Sequence, residues 1–238
     1  MTPEVEAVFP GGPSLLRLLQ LASPALPIGG FAYSQGLEGA VAAGWVRDEA
    51  DAAHWILGLL SSSLGALDLP VLARVHAAWT AGDRAGAWRW SALLYASRAG
   101  AELQAEERHL AWALARVLGG QGPHDVEALA AEARGSAGAG LTYVAVFAVA
   151  CCAWRIPVEA ALGGFAFAWA EAQVGAALRL VPLGQSAGQR ILGAAVAAIP
   201  GVVRAALAIT DDDVGAAAPA HGIASAWHET QYSRLFRS

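Results

Sequence analysis

The chain has 238 residues, and its 15 basic residues against 20 acidic ones give a formal net charge of −5. All of the basic residues are arginines, and the absence of lysine excludes a Walker-type phosphate loop and Schiff-base chemistry, which need a lysine amine. The negative charge argues against a nucleic-acid-binding surface, which needs a positive stripe to displace counterions from phosphates.

The hydrophobic fraction of 56% and the mean hydropathy of +0.43 are high, so a membrane span has to be considered. The best candidate, residues 135–154, begins with small residues, and its apolar part from Leu141 to Trp154 has the length of a buried helix. Residues 1–14 lack the basic stretch of a signal peptide. The adjacent Cys151 and Cys152 offer no disulfide framework. We therefore expect a cytoplasmic protein with no membrane span.

Alanine, leucine and arginine dominate and apolar residues recur at spacings of three and four, which predicts an all-α fold. In chain order, the sequence predicts helices over 14–21, 34–43, from Asp48, from Asp68, then over 83–99, 101–118, 123–133, 141–154, 158–180, 186–199 and 202–209. The helices at 141–154 and 158–180 are hydrophobic nearly all round, so we expect them at the centre of a single-domain bundle of about ten helices.

The C-terminal part of the chain differs in composition from the rest. Residues 210–222, TDDDVGAAAPAHG, are small, acidic and contain Pro and Gly, as linkers do. The segment WHETQYSRLFRS that ends the chain is aromatic and basic, which favours a partner-binding end over a place in the core. We expect one all-helical domain over 1–210, followed over 211–238 by a linker and a flexible, partner-binding tail.

Patterns that could carry catalysis or bind a metal are weak. Residues 184–188, GQSAG, match the nucleophile elbow of α/β-hydrolases, but that chemistry needs a strand before the serine, so we interpret Ser186 as the start of a helix. No two histidines are spaced i, i+4, and His221 and His228 would lie two helical turns apart. We expect solvated or core-edge histidines, no catalytic residues, no metal site and no cofactor.

The most unusual segment is residues 23–46, SPALPIGGFAYSQGLEGAVAAGWV. Its prolines fix the path of the chain, and Tyr33, Gln35 and Glu38 add aromatic and polar groups that a core does not need. Such side chains on a rigid loop are typical of a recognition surface, although Pro and Gly could also serve only to turn the chain between two helices.

Three segments resemble the urease accessory protein UreF family: residues 18–46, with LLQLASPALPIGGF, YSQGLE and GWV; residues 181–189, VPLGQSAGQ; and residues 228–238, HETQYSRLFRS. They lie near the start, in the late middle and at the end of the chain. The resemblance implies a cytoplasmic, all-α homodimer without enzymatic activity. It also implies an adaptor that joins the accessory protein UreD (UreH in some organisms) and the GTPase UreG on apo-urease for nickel insertion.

Residue roles follow from the resemblance by position. In the tail, Tyr232, Leu235 and Phe236 are expected as apolar anchors for the UreD-like partner, with Arg234 and Arg237 as charged contacts. Tyr33, Gln35 and Glu38 are expected on a face shared between the dimer and UreG docking. Lysine contacts of other family members have no counterpart in this chain, and arginine offers a different geometry.

Two alternatives to a plain adaptor stay open. The chain could be a GTPase-activating regulator that supplies an arginine finger to UreG, which would accelerate GTP hydrolysis by about three to five orders of magnitude. It could also be a conduit through which nickel passes along polar residues without tight binding.

Overall fold

The computed structural model describes residues 12–119, 124–135, 140–215 and 218–238, and the regular elements in these ranges are all helical. In chain order the helices are α1 (Gly12–Leu21), α2 (Leu37–Ala42), α3 (Glu49–Leu59), α4 (Leu69–Thr80), α5 (Arg84–Ala96), α6 (Ala101–Leu118), α7 (His124–Gly135), α8 (Tyr143–Ala153), α9 (Val158–Leu180), α10 (Gln185–Ala208) and α11 (Pro219–Glu229). Short 3₁₀ turns lie at Gly30–Ala32 and Asp211–Asp213. The all-α prediction is confirmed.

Several helix ends lie where local chemistry predicts them. The side chain of Asp48 caps α3 by accepting a hydrogen bond from the backbone N–H of Asp51 at 3.0 Å. The side chain of Asp83 caps α5 in the same way, from Gly86 N at 2.8 Å. These bonds satisfy N–H groups that the first turn of a helix leaves free. The bounds predicted for α6 and α9 are those observed.

Three predicted boundaries were wrong. α3 continues into α4 through the π-helical turns of Leu60–Asp68, so residues 49–80 form one helix rather than two. α10 runs without a break past Pro200, whose ring is exposed at the surface and displaces no core side chain. α2 begins only at Leu37, because Gln35 and Gly36 have φ angles of 51° and 78° and cannot continue a right-handed helix.

The centre of the bundle is α8, as its composition predicts. Every residue from Val144 to Cys151 is buried, and the helix packs against α4, α6, α7 and α9. The ring of Phe147 lies 5.1 Å from that of Phe165 on α9, in an edge-to-face pair. A second, smaller apolar cluster lies among α2, α3, α9, α10 and α11 and includes Phe236 from the tail.

In the described part of the segment 135–154, residues 135 and 140–154, the helix α8 has 11 residues, fewer than the about 20 needed to cross a bilayer. Within the described ranges, two other helices pass a test of length and apolar composition. The helix 49–80 has 67% of its most apolar window buried inside the protein, and α10 has 28%. Length and composition alone are weak grounds for a membrane span, since core helices share both.

The predicted tail lies against the helical body. α11 packs on α2 and α6, and its contact with α2 is a backbone-to-backbone one. A Cβ atom built on Gly39 of α2 would lie 2.3 Å from the carbonyl oxygen of Ala224 in α11, so only glycine permits this approach. His228 and Phe236, expected outside the core, are buried. The described residues of the tail, 218–238, therefore contact the helical body.

Candidate functional site

The loop at residues 33–38 and the end of the tail meet in one hydrogen-bonded cluster, which we call the clasp: residues 33–38, Glu102 and Glu106 of α6, and residues 228–238. Glu38 lies in the first turn of α2 and is 7% exposed. Its carboxylate accepts hydrogen bonds from the backbone N–H groups of Leu235 at 2.7 Å and Phe236 at 2.9 Å. Glu38 therefore satisfies two donors that an irregular segment of chain leaves without a helical partner.

A buried histidine joins the clasp to α6. The ring of His228, fully buried on α11, lies between two carboxylates: Nε2 is 3.0 Å from Glu38 and Nδ1 is 2.6 Å from Glu102. Each ring nitrogen is thus within hydrogen-bond distance of one carboxylate oxygen. Arg234 also donates to Glu102. The guanidinium of Arg234 thus offsets part of the cost of burying the carboxylate of Glu102.

The last residue of the chain is held by two further elements. The backbone N–H and the hydroxyl of Ser34 donate to the carbonyl oxygen of Ser238 at 2.7 and 2.6 Å. The Ser238 hydroxyl in turn donates to Glu106 at 2.8 Å, and the amide of Gln35 donates to the other oxygen of Glu106 at 2.7 Å. Burial raises the pKa of Glu106 to about 7, with a smaller contribution from the charge of Glu107.

The eight residues predicted to bind partners divide into an inner and an outer group. Tyr33, Glu38 and Phe236 are buried and Gln35 is half-buried, so their side chains contact the protein itself, whereas Tyr232, Arg234, Leu235 and Arg237 are exposed. The sequence analysis assigned the tail residues to one partner and the loop residues to another. The structure brings the two groups together. Their roles in partner binding stay predictions.

The inner residues are held by aromatic and polar contacts. The hydroxyl of Tyr33 lies 3.1 Å from Nδ1 of His109, and burial raises the pKa of this phenol. The ring of Phe236 packs beneath the guanidinium of Arg179, whose carbon lies 4.4 Å from the ring centroid. These contacts fix the path of the tail while leaving Tyr232 and Leu235 outside.

The sequence analysis assigned no role to five of the residues whose side chains form the hydrogen bonds described above: Ser34, Glu102, Glu106, His228 and Ser238. One signal was present, because Glu102 and Glu106 are four residues apart and so lie on one face of α6. Nothing in the local pattern pairs that face with residues more than 120 positions later. The prediction that the histidines are solvated or at the core edge was wrong for His228, which is 0% exposed.

A buried ion cluster lies beside the clasp. The guanidinium of Arg98 donates to both Asp68 and Glu107, and all three side chains are largely shielded from solvent. Burial lowers the pKa of Arg98, but the charges of Asp68 and Glu107 raise it by more, so the cation is retained. Glu107 also accepts from the backbone N–H of Tyr143 at the start of α8, which ties the cluster to the central helix.

A cavity of about 350 Å³ opens next to this cluster. It lies between the end of α1, the loop from Pro24 to Phe31 and α9, with Gln35, Arg98, Glu106, Glu107 and Asp68 at its polar end. Two smaller spaces lie beside it on the side of α11, and Arg98 lines all three. The polar end of the cavity and the clasp share Gln35 and Glu106.

Other patterns singled out in the sequence have structural explanations. Ser186 is exposed in the first turn of α10, so its interpretation as a helix start is confirmed. Cys151 is buried and Cys152 half-buried, and neither forms a disulfide. Across the part of the chain that the structure describes, no three His, Cys, Asp or Glu side chains are arranged to hold a metal ion.

Comparisons with known proteins agree with one another. A family model described as UreF matches residues 46–196. A urease accessory protein UreF from Chromohalobacter salexigens is 46% identical over 225 residues, 94% of this chain and 95% of that protein. One from Pseudomonas putida strain W619 is 47% identical, over 94% of this chain and 98% of that protein. A bifunctional urease accessory protein UreEF from Bordetella bronchiseptica is 43% identical over 100% of this chain, which covers 54% of that protein.

Proposed function

Because the chain belongs to the UreF family of urease accessory proteins, we propose that it is a non-catalytic maturation factor for urease. It acts as an adaptor that joins UreD (or UreH) and the GTPase UreG on apo-urease, and so supports GTP-dependent insertion of nickel. The nucleotide belongs to UreG, since this chain has no lysine for a phosphate loop. The UreEF relative, whose name combines two accessory proteins in one chain, supports a place among such partners.

The observation that carries the adaptor role is the outer face of the clasp. Tyr232 is fully exposed and Leu235 is 55% exposed, although the backbone N–H of Leu235 is bonded to the buried Glu38. Apolar side chains on a backbone that is already fixed lose little conformational entropy on binding, and aromatic residues and arginine are frequent at the centres of interfaces. This face, with Arg234 and Arg237, is the surface proposed for the UreD-like partner.

The experiment is a titration of purified UreD or UreH with the wild-type chain and with the double variant Tyr232→Ala, Leu235→Ala. Because both side chains are exposed, the free energy of unfolding should stay within about 0.5 kcal/mol of wild type, whereas affinity should fall at least about tenfold. Leu207→Ala, at a 40% exposed leucine on α10, is the matched control and should bind normally. Wild-type affinity in the double variant would refute this surface.

We also propose a homodimer that presents the loop around Phe31 to UreG. Phe31 is 75% exposed beside the inner residues of the clasp, and the backbone N–H of Arg237 donates to the neighbouring Ala32 at 2.8 Å. Sedimentation velocity should give twice the chain mass, and Phe31→Ala should weaken UreG binding without affecting UreD binding. A monomer at assay concentration, or unchanged UreG binding, contradicts this assignment.

The row of cavities supports a second candidate function, a conduit for nickel as cargo. Carboxylates line the first two spaces, and Ser63 and His221 line the second and third. Burial lowers the pKa of His221 to about 4, so its ring is neutral near pH 7. Ser63→Leu would narrow the row of cavities without changing the exposed residues of the clasp. A conduit predicts normal assembly with nickel-poor urease, whereas normal nickel content would leave only the adaptor function.

A further inference from the structure

The cavity beside the clasp has the size and walls of a small-molecule site. Its volume of about 350 Å³ lies in the usual range for ligand pockets, about 300–1,000 Å³. The walls are largely apolar and aromatic: Leu21, Leu26, Ile28, Phe165 and Trp169. Such walls favour an alkyl or aryl group and give a bare ion nothing to coordinate.

The polar end of this cavity carries excess negative charge. Three carboxyl groups, those of Asp68, Glu106 and Glu107, lie there with one guanidinium, that of Arg98. The cavity is also lined by one further carboxyl group and one further guanidinium, those of Glu171 and Arg179 on α9, and Arg179 donates to the carbonyl oxygen of Phe31. Arg98 is already bonded to Asp68 and Glu107. The hydrogen bonds to Glu106 come from neutral groups, Gln35 and Ser238, and among the described residues no cationic side chain lies within salt-bridge distance of it. A cation would offset this uncompensated charge.

A second observation also points to a missing donor. Gln173 on α9 lines the same cavity and is 1% exposed, and its Oε1 atom is buried without a hydrogen-bond partner. An unsatisfied buried acceptor costs about 1–3 kcal/mol, so a ligand that brings an N–H to it gains that energy. The amide of Gln173 is 3.4 Å from Gln35, which in turn donates to Glu106. The orphan acceptor and the unpaired carboxyl group are thus linked through one side chain.

We propose that this cavity binds a small organic cation with an apolar stem, such as a primary alkylammonium. The ammonium group donates to Glu106 and to Oε1 of Gln173, and the stem lies along the walls formed by α1 and α9. An alcohol of the same length would leave the carboxylate unpaired, and an anion would be repelled by it. This ligand is distinct from the nickel cargo, and its binding does not depend on the function proposed above.

Binding should strengthen with rising pH, because only the ionised form of Glu106 attracts the cation. Its pKa of about 7 places this change near neutrality, well below the titration of a free alkylamine. The charged or titratable groups around Glu106 include Glu107, Arg98, Asp68, Tyr33, Arg237 and His221. Tyr143 on α8 and Glu171 and Arg179 on α9 line the same cavity. His221 has a pKa of about 4, lowered mainly by burial, so it stays neutral through the same interval.

The test is isothermal titration of the full chain with hexylamine, hexan-1-ol, hexanoate and Ni²⁺ alone. Hexylamine should bind with one site per chain. Its affinity should be at least about tenfold higher at pH 8 than at pH 6, and at pH 8 at least about tenfold higher than that of hexan-1-ol. Glu106→Gln should remove that preference for the amine. Ala172→Leu, at an exposed residue of the cavity wall, should weaken hexylamine binding by filling space without altering charge. Glu159→Gln, at an exposed site in the first turn of α9, is the control and should bind as wild type.

Equal affinity for hexylamine and hexan-1-ol, or no saturable binding of hexylamine, would overturn the assignment. So would binding of Ni²⁺ that depends on Glu106 in the absence of amine binding, which would favour the conduit instead. Should Glu106→Gln fail to fold, Ala172→Leu and the pH dependence of the wild type decide the question. Wild-type hexylamine affinity in Ala172→Leu would also count against the site.

Discussion

Substitution of Glu38 by alanine should release the tail from the helical body. The carboxylate accepts from two backbone N–H groups and contacts the ring of His228, with all three distances between 2.7 and 3.0 Å. A hydrogen bond to a charged group contributes about 1.5–3 kcal/mol, so the two bonds from backbone N–H groups together contribute about 3–6 kcal/mol. We expect the free energy that docks the tail on the helical body to fall by about 3–5 kcal/mol. If that docking free energy is smaller than this, the tail is released completely.

Amide hydrogen exchange at Leu235 and Phe236 measures this effect directly. Since about 1.4 kcal/mol corresponds to a factor of ten, their exchange should be about 10²- to 4 × 10³-fold faster in Glu38→Ala than in wild type. Amides of the central helix α8, such as that of Phe147, should keep their protection. Glu38→Gln, which keeps the size of the side chain and one acceptor, should lie between the two.

The matched control is Glu159→Ala, which removes a carboxylate from an exposed position of α9. It should leave exchange at Leu235 and Phe236 unchanged. If Glu38→Ala itself changes their exchange by less than about threefold, the two hydrogen bonds do not hold the tail, and the clasp as described would be rejected.

Three further predictions concern the clasp and its neighbours. Phe236→Ala, at a 5% exposed ring beneath Arg179, should destabilise tail docking by about 3–5 kcal/mol in urea unfolding. Leu235→Ala should change the same free energy by less than about 0.5 kcal/mol. Equal effects of the two variants would contradict the division into inner and outer residues. Arg98→Ala leaves Asp68 and Glu107 buried without a cation, so the free energy of unfolding, measured in the same way, should fall by about 3–5 kcal/mol. A decrease of less than about 1 kcal/mol would mean that the cluster is solvated. Glu106, whose pKa is raised by burial from 4.5 to about 7, binds its proton more tightly in the folded state, so its contribution is complete below about pH 4.5 and is lost as pH rises through about 7. Wild type should therefore lose stability relative to Glu106→Gln over that interval, and parallel pH profiles would refute the shift.

The helical body could be predicted because its signals are local. α6 ends before Gly119 and α9 begins after Pro157, residues that interrupt the helical periodicity, and α8 is central because it has no polar face. Pro200 misled the prediction, since a proline removes one hydrogen bond from a helix but does not end it when its ring faces solvent and both flanking turns are packed. The π-helical turns before Asp68 have no comparable local signature.

The candidate site was predicted only in part, because its contacts join residues far apart in the chain. The loop at 33–38 and the tail were both singled out, yet neither pattern indicates that Glu38 accepts hydrogen bonds from Leu235 and Phe236. Polar and aromatic composition indicated exposure for Tyr33, Gln35 and Glu38. They can be buried because each of them has a hydrogen-bond partner inside the protein. Predicting those partners requires the folded path of the tail.

The measurement that tests the central claim most directly is the nickel content and activity of urease purified from cells that carry its operon with this gene deleted, restored, or restored as Tyr232→Ala, Leu235→Ala. We predict folded but nickel-poor, inactive urease in the deletion strain at limiting nickel, full recovery with the wild-type gene, and poor recovery with the double variant. Equal nickel content in the deleted and restored strains would contradict a role in urease maturation.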